Sequence, residues 1–280
     1  MPEPLQLSDA QRAALHQWLP GLQVVTDHSW GLVDTRVLHV RHDGRDLVVK
    51  AAGPDNHHIG REITAHRQWV GCLAEEGRAA RLVEADERAN ILVTEYLPGD
   101  LVEGTEVEWH EDAYAQAGRL LARFHRQSSQ LEPDYEQRLN ARATRWLDGA
   151  HAIAPETEVR LRAEIDAFPL PARTVVPTHG DYQPRNWLHH GGVIAVIDFG
   201  RAELRAPETD FARLASQQLL GRPELERAFL DGYGADPREP GAWRRTRLRE
   251  AIGTACWSHQ VGDVRFEAQG HRMIADLLGE

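Results

Sequence analysis

The segment His179-Gly180-Asp181-Tyr182-Gln183-Pro184-Arg185-Asn186 constrains this chain more than any other. It places a carboxylate and an amide five residues apart in a polar loop. A strand pair turned at Gly191-Gly192 follows, and its second run, Val193–Ile197, ends on Asp198-Phe199-Gly200-Arg201. One loop and one strand end can then converge on a metal. Phosphoryl transfer needs metal ions across the phosphates, a cation on their α/β side, and a carboxylate that orients and deprotonates the attacking hydroxyl. Singly, an Asp or Asn in a Pro-containing loop is an ordinary turn former. The joint pattern His-x-Asp-x4-Asn, strand pair, Ile-Asp-Phe-Gly points to that chemistry.

The rest of the chain divides by periodicity. Ser8 and Gln11 have the spacing of a capping box, and Ala13, Ala14, Leu15, Trp18 and Leu19 continue at helical intervals. From Leu22 to Lys50, short β-branched runs with Asp43-Gly44 between them predict three antiparallel strands. A helix is expected over His58–Glu75, then strands over Ala80–Ala85 and Ile91–Glu95. Leu97-Pro98-Gly99-Asp100 breaks the periodicity and is the linker candidate. Beyond it helices dominate: one with Tyr114, Ala117, Leu120, Leu121 and Phe124 on a single face, others near 136–150 and 155–167, and more from about Pro207. The expectation is an α+β chain, with residues 1–96 a small β-rich lobe and 97–280 a mainly helical one.

The net charge of -11 over 280 residues disfavours nucleic acid and anionic membrane surfaces as partners. No leader-like run opens the sequence and no stretch is apolar enough to span a bilayer, so a cytoplasmic location is expected. Cys72 and Cys256 lack metal-ligand spacing and are expected to be reduced and buried.

At the level of motifs the chain resembles the aminoglycoside phosphotransferase family, within the wider group of choline and homoserine kinases and, more distantly, protein kinases. The resemblance covers nearly the whole length and implies a two-lobed protein-kinase-like fold, with a small antiparallel-sheet amino-terminal lobe and a mainly helical carboxy-terminal one. It implies ATP (or GTP) and Mg²⁺ as cofactors, Asp181 as catalytic base, Asn186 and Asp198 as metal ligands, and His179 and Asp210 as structural supports. Leu47-Val48-Val49-Lys50 resembles the strand whose lysine meets the α- and β-phosphates, and Glu62, twelve residues on, its carboxylate partner. Glu95, Tyr96 and Leu97 match the hinge whose backbone faces adenine, with Val48, Leu188 and Ile197 against its faces. Ser29 lies in a glycine-poor loop, Thr26–Leu32, where protein kinases carry several glycines. Gln183 stands where protein kinases usually have lysine, which suits a small-molecule kinase.

Arg201 resembles an arginine of the aminoglycoside 3′-kinases, and Arg185 is near the chemistry in sequence; each is a candidate for phosphate or acceptor, or for a surface salt bridge. The family implies that helices after Pro223 wall the acceptor pocket, here with Trp243, Trp257, His259, Asp263, Phe266, Asp276 and Glu280. The acceptor is expected to be a small molecule, an antibiotic being the leading candidate, and the protein a monomer or weak dimer. Two alternatives stand beside an antibiotic kinase: a metabolic kinase of small alcohols, and a nucleotide-binding protein that has lost catalysis. The presence of Lys50, Glu62, Asp181, Asn186 and Asp198 together weighs against the last.

Overall fold

The structure is a computed structural model and describes residues 7–29 and 34–279. The chain opens with α1 (Asp9–Trp18), whose capping box is formed: Ser8 Oγ accepts from the Gln11 N–H, and the Gln11 side chain accepts from the Ser8 N–H. Next come β1 (Gln23–Asp27), β2 (Thr35–His42), β3 (Arg45–Ala52), α2 (His58–Gln68), α3 (Gly71–Ala74), β4 (Leu82–Asp86) and β5 (Ile91–Glu95). The expected helix over 58–75 is thus two helices. Trp69 and Val70 both donate to the Ala65 carbonyl, which closes α2 and turns the chain. The five strands form one antiparallel sheet in the order β1-β2-β3-β5-β4.

Strand alternation fixes which side chains reach a ligand. Leu47 and Val49 point to one face, where they join Leu38, Val40, Ile91 and Val93 in a core covered by Leu15 of α1 and by Leu19 just after it. Ala52 and Leu92 lie on the other face beneath Ile59 and Ile63 of α2. Val48 and Lys50 share that second face and are only partly buried.

The chain continues through β6 (Asp100–Leu101), α4 (Glu111–His125), β7 (Gln130–Glu132), α5 (Tyr135–Leu147), α6 (Pro155–Ala167), β8 (Arg173–Thr178), β9 (Trp187–His190) and β10 (Val193–Val196). It ends with β11 (Glu203–Arg205), α7 (Ala212–Ser216), α8 (Pro223–Tyr233), α9 (Pro240–Val261) and α10 (Val264–Leu278). The expected linker is partly a strand: Asp100 and Leu101 pair with His189 and Leu188 of the β9–β10 hairpin.

Contacts gather the chain into two compact units. The first comprises Met1–Gln127, Pro177–Glu203 and Glu224–Gly234, so it holds the five-stranded sheet, α4, and the whole segment from His179 to Arg201. The second comprises Ser128–Val176, Leu204–Pro223 and Ala235–Glu280. Its core joins α5, α6, α9 and α10 through Leu147, Leu161, Ile165, Leu248, Ile252 and Ile274. Cys256 is buried there, whereas Cys72, within α3, is only partly buried, its thiol turned back to the Trp69 carbonyl at 3.5 Å; both are free thiols. No helix among the described residues is long and apolar enough to cross a membrane.

Candidate active site

The loop that follows Thr178 is closed by its own side chains. Gly180 has φ +78°, a turn that a residue without Cβ makes at no steric cost. His179 Nε2 donates to the Ile197 carbonyl at 3.0 Å, while its Nδ1 accepts from the Asp181 N–H at 3.3 Å. The buried imidazole therefore ties the loop to the strand end that precedes Asp198. Asn186 adds two fastenings: its carbonyl accepts from the Ile197 N–H at 3.0 Å, and its Nδ2 donates to the Asp181 carbonyl at 2.8 Å. Tyr182 anchors the loop to α4 by donating to the Ala117 carbonyl at 2.7 Å.

Lys50 is the electrostatic centre. Its Nζ donates to Glu62 Oε1 and Oε2 at 2.8 and 3.1 Å and to Asp198 Oδ1 at 3.2 Å. Burial opposes the ammonium charge, but Asp198 and Glu62 outweigh it and raise the lysine pKa, so Lys50 is a fixed cation. The same ammonium holds the Asp198 carboxyl below the usual carboxylate range. Asp198 has φ +64°, which costs a non-glycine residue about 1–3 kcal/mol. That strain is sustained by the fastenings on either side, and the carboxylate stays half exposed.

The Asp181 carboxylate is buried among donors. Gln183 Nε2 reaches Oδ1 at 2.6 Å, Asn186 Nδ2 reaches Oδ2 at 3.1 Å, and Arg185 Nη2 lies 2.9 and 2.8 Å from the two oxygens. With the Asn186 nitrogen committed to Asp181, its amide oxygen is the atom left for a cation. Asp198 with Asn186 is thus a sparse, oxygen-only donor set. It suits Mg²⁺, which keeps several waters and takes one or two protein ligands beside substrate phosphates. No cluster of three or more His, Cys, Asp or Glu able to hold a metal occurs among the described residues.

On the side expected to face a nucleobase, Val48 is partly buried between His39 and Thr94 on the neighbouring strands. Leu97, Leu188 and Ile197 are also partly buried. The Tyr96 N–H donates to the Asp46 carbonyl at 3.2 Å, so that donor of the hinge is already engaged. The Tyr96 ring stacks on His39 with centroids 4.2 Å apart. Glu95 forms an ion pair with Arg45 at 3.5 Å. Ser29 Oγ accepts from the Val37 N–H at 2.9 Å, which closes the base of the glycine-poor loop; Trp30, Gly31 and Leu32 lie outside the described residues.

The other expected residues scatter. Arg201 is partly buried in the turn after Gly200, and Asp210 is buried in the second unit on a short 3₁₀ segment, Pro207–Phe211. Asp276 is exposed on α10 and lines an open cleft of about 550 Å³ with Trp243 and Arg247. Asp263 caps α10 by accepting from the Phe266 N–H at 3.0 Å, and His259 pairs with Glu267 at 2.9 Å. Glu280 lies outside the described residues.

Sequence reasoning found Glu62 on α2 but missed the two histidines that flank it. His58, Glu62 and His66 recur every four residues and all meet the segment 198–200. His58 Nδ1 donates to the Gly200 carbonyl at 2.9 Å, Glu62 accepts from the Phe199 N–H, and the His66 ring lies edge-on to Phe199. A Cβ on Gly200 would stand 3.3 Å from that of His58, so the approach favours glycine. The i, i+4, i+8 spacing of His58, Glu62 and His66 was the available signal.

A five-stranded antiparallel sheet whose Lys50 pairs with Glu62 of the following helix, with a paired Asp–Asn loop and a strained Asp at a strand end beside it, defines a small-molecule phosphotransferase of the kinase-like class. The chain belongs to the APH phosphotransferase enzyme family, whose model matches residues 9–249. Solved structures share the fold at low identity. A thermostable mutant of aminoglycoside phosphotransferase APH(4)-Ia, in ternary complex with ADP and hygromycin B, is 14% identical with a TM-score of 0.70, over 96% of this chain and 98% of that one. Choline kinase LicA from Streptococcus pneumoniae is 14% identical with a TM-score of 0.67, over 98% and 100%. Macrolide 2′-phosphotransferase MphH from Brachybacterium faecium is 16% identical with a TM-score of 0.59, over 95% and 97%. No curated protein sequence matches significantly.

Proposed function

We propose that this protein is a Mg²⁺- and ATP-dependent O-phosphotransferase that phosphorylates a hydroxyl of a small molecule, with an antibiotic of the aminoglycoside type as the first acceptor class to test. The observation that carries the reading is Lys50 Nζ bridging Glu62 and Asp198 within hydrogen-bond distance, beside the loop that holds Asp181 and Asn186. In this reading Lys50, kept extended by Glu62, binds the α- and β-phosphates, and Asn186 and Asp198 hold the metal. A Mg²⁺ ion held by these two residues would supply neutralisation of the charge on the transferred group. Asp181 orients the acceptor hydroxyl and takes its proton.

The relatives support a small-molecule acceptor: one holds ADP and hygromycin B, one is a choline kinase, and one is a macrolide phosphotransferase. The choline kinase covers this chain as fully as the antibiotic kinases do, so a small amino alcohol is the second acceptor class. Incubation with Mg²⁺ and ATP or GTP, against a panel of aminoglycosides, macrolides, nucleoside antibiotics and amino alcohols, tests the proposal by mass spectrometry. One product heavier by a phosphoryl group supports it and identifies the acceptor. Absence of both product and Mg-nucleotide binding overturns it.

A further inference from the structure

The loop from Asp181 to Asn186 carries a single cation, Arg185. Three side chains donate to the two Asp181 oxygens that an acceptor hydroxyl would have to reach, and they differ in freedom. Gln183 and Asn186 are short and buried, and Asn186 is fastened to the backbone as well. The Arg185 side chain is 39% exposed. Only its Nη2 is engaged; Nε and Nη1 form no hydrogen bond among the described residues. Of the three, Arg185 can withdraw without dismantling the loop, and it has donors left for a second anion.

We propose that Arg185 is a catalytic residue with two alternating partners: Asp181 when the enzyme is empty, and the terminal phosphate of the nucleotide when that is bound. The exchange uncovers the Asp181 oxygens for the acceptor hydroxyl. It rests on the phosphotransferase reading above. Guanidinium pairs well with phosphate because its planar donors match two phosphate oxygens, and a terminal phosphate brings more negative charge than one carboxylate. The sequence fits this division of labour: Gln183 leaves the second position after Asp181 neutral, so the loop's positive charge comes from Arg185. In the transfer, the acceptor proton passes to Asp181, the bond between hydroxyl oxygen and terminal phosphorus forms, and the bond from that phosphorus to the bridging oxygen breaks, releasing ADP. Arg185 makes and breaks no covalent bond; it holds the charge of the moving group.

Calorimetric titration of the wild type, Arg185→Met and Arg185→Lys with Mg²⁺ and either ADP or a non-hydrolysable ATP analogue tests the inference. Arg185→Met is expected to bind the analogue about tenfold more weakly, with ADP affinity unchanged within twofold. Its kcat is expected to fall about 100-fold, and Arg185→Lys to recover part of both losses. An equal loss for both nucleotides, or no loss for either, overturns the inference. If Arg185→Met does not fold, Arg185→Lys decides alone, since a selective weakening of the analogue supports the exchange and unchanged binding of both refutes it. A wild type that binds neither nucleotide overturns the phosphotransferase reading itself; one that binds ADP and the analogue while the variants show no selectivity overturns only the role of Arg185.

Discussion

The imidazole of His58 donates from Nδ1 to the carbonyl oxygen of Gly200 across 2.9 Å, tying the first turn of α2 to the residue two places beyond Asp198. The helix that presents Glu62 to Lys50 thereby also fixes the backbone that presents Asp198. Removing the donor in His58→Ala is expected to lower kcat about tenfold and to raise the Mg²⁺ concentration needed for half-maximal rate. Asparagine carries a side-chain N–H near the place of Nδ1, so His58→Asn should restore most of the loss. Hydrogen exchange of the segment 198–200 gives an independent readout: it should quicken in the alanine variant, and unchanged exchange there contradicts the coupling.

Asp181 and Asp198 should fail in different ways. Asp181→Ala is expected to lower kcat by about 10²–10⁴, the range of a general base, while Mg-ATP affinity stays within a few-fold. Asp198→Ala should instead abolish the Mg²⁺ dependence of ATP affinity, because the half-exposed carboxylate is the charged member of the donor set. Titration calorimetry with and without Mg²⁺, beside steady-state rates, separates the two. A variant of Asp181 with normal turnover, or of Asp198 with normal Mg²⁺ dependence, removes that residue from its role.

His66 makes stability sensitive to acid. Burial, and secondarily the charge of Lys50, pull its imidazole from the ordinary 6.5 down to about 4. The unfolded chain takes up that proton near pH 6.5 and the folded one only near 4, so the contribution is full above 6.5 and is lost as pH falls towards 4. That span corresponds to about 3 kcal/mol. Between pH 7 and pH 4, His66→Leu is expected to lose about 3 kcal/mol less stability than the wild type. Urea unfolding at the two pH values measures it, and parallel losses would show that His66 is not the titrating group.

The second unit depends on a buried charge cluster. The Glu136 carboxylate, 3% exposed, lies 2.6 Å from Arg249, 3.2 Å from Arg245 and 3.4 Å from Arg173. Neutralising it in Glu136→Gln leaves Arg245 and Arg249 buried without their counter-ion, and about 3–5 kcal/mol of stability should be lost. Thermal and denaturant unfolding read this directly; a change below 1 kcal/mol would mean that solvent reaches the cluster.

The sequence alone determined whatever is written in neighbouring residues. The capping box at Ser8, the hairpin at Asp43-Gly44, the five strands before residue 96, and the spacing of Asp181, Asn186 and Asp198 follow from local backbone preferences and from periodicities of two and 3.6 residues. The Lys50–Glu62 pair was legible too, through the resemblance of Leu47–Lys50 to the family strand that carries the lysine. Only the tertiary structure decided the rest. It broke the helix at Trp69, drew Asp100 and Leu101 into a sheet with β9, and set His58 against Gly200, 142 positions away in the chain. It also turned Arg185 onto Asp181, although the two are four residues apart. A side chain's direction in a loop follows from what surrounds the loop, and no periodicity encodes that. The positive φ of Asp198 has the same origin: contacts on both sides hold a conformation that the residue would not adopt by itself.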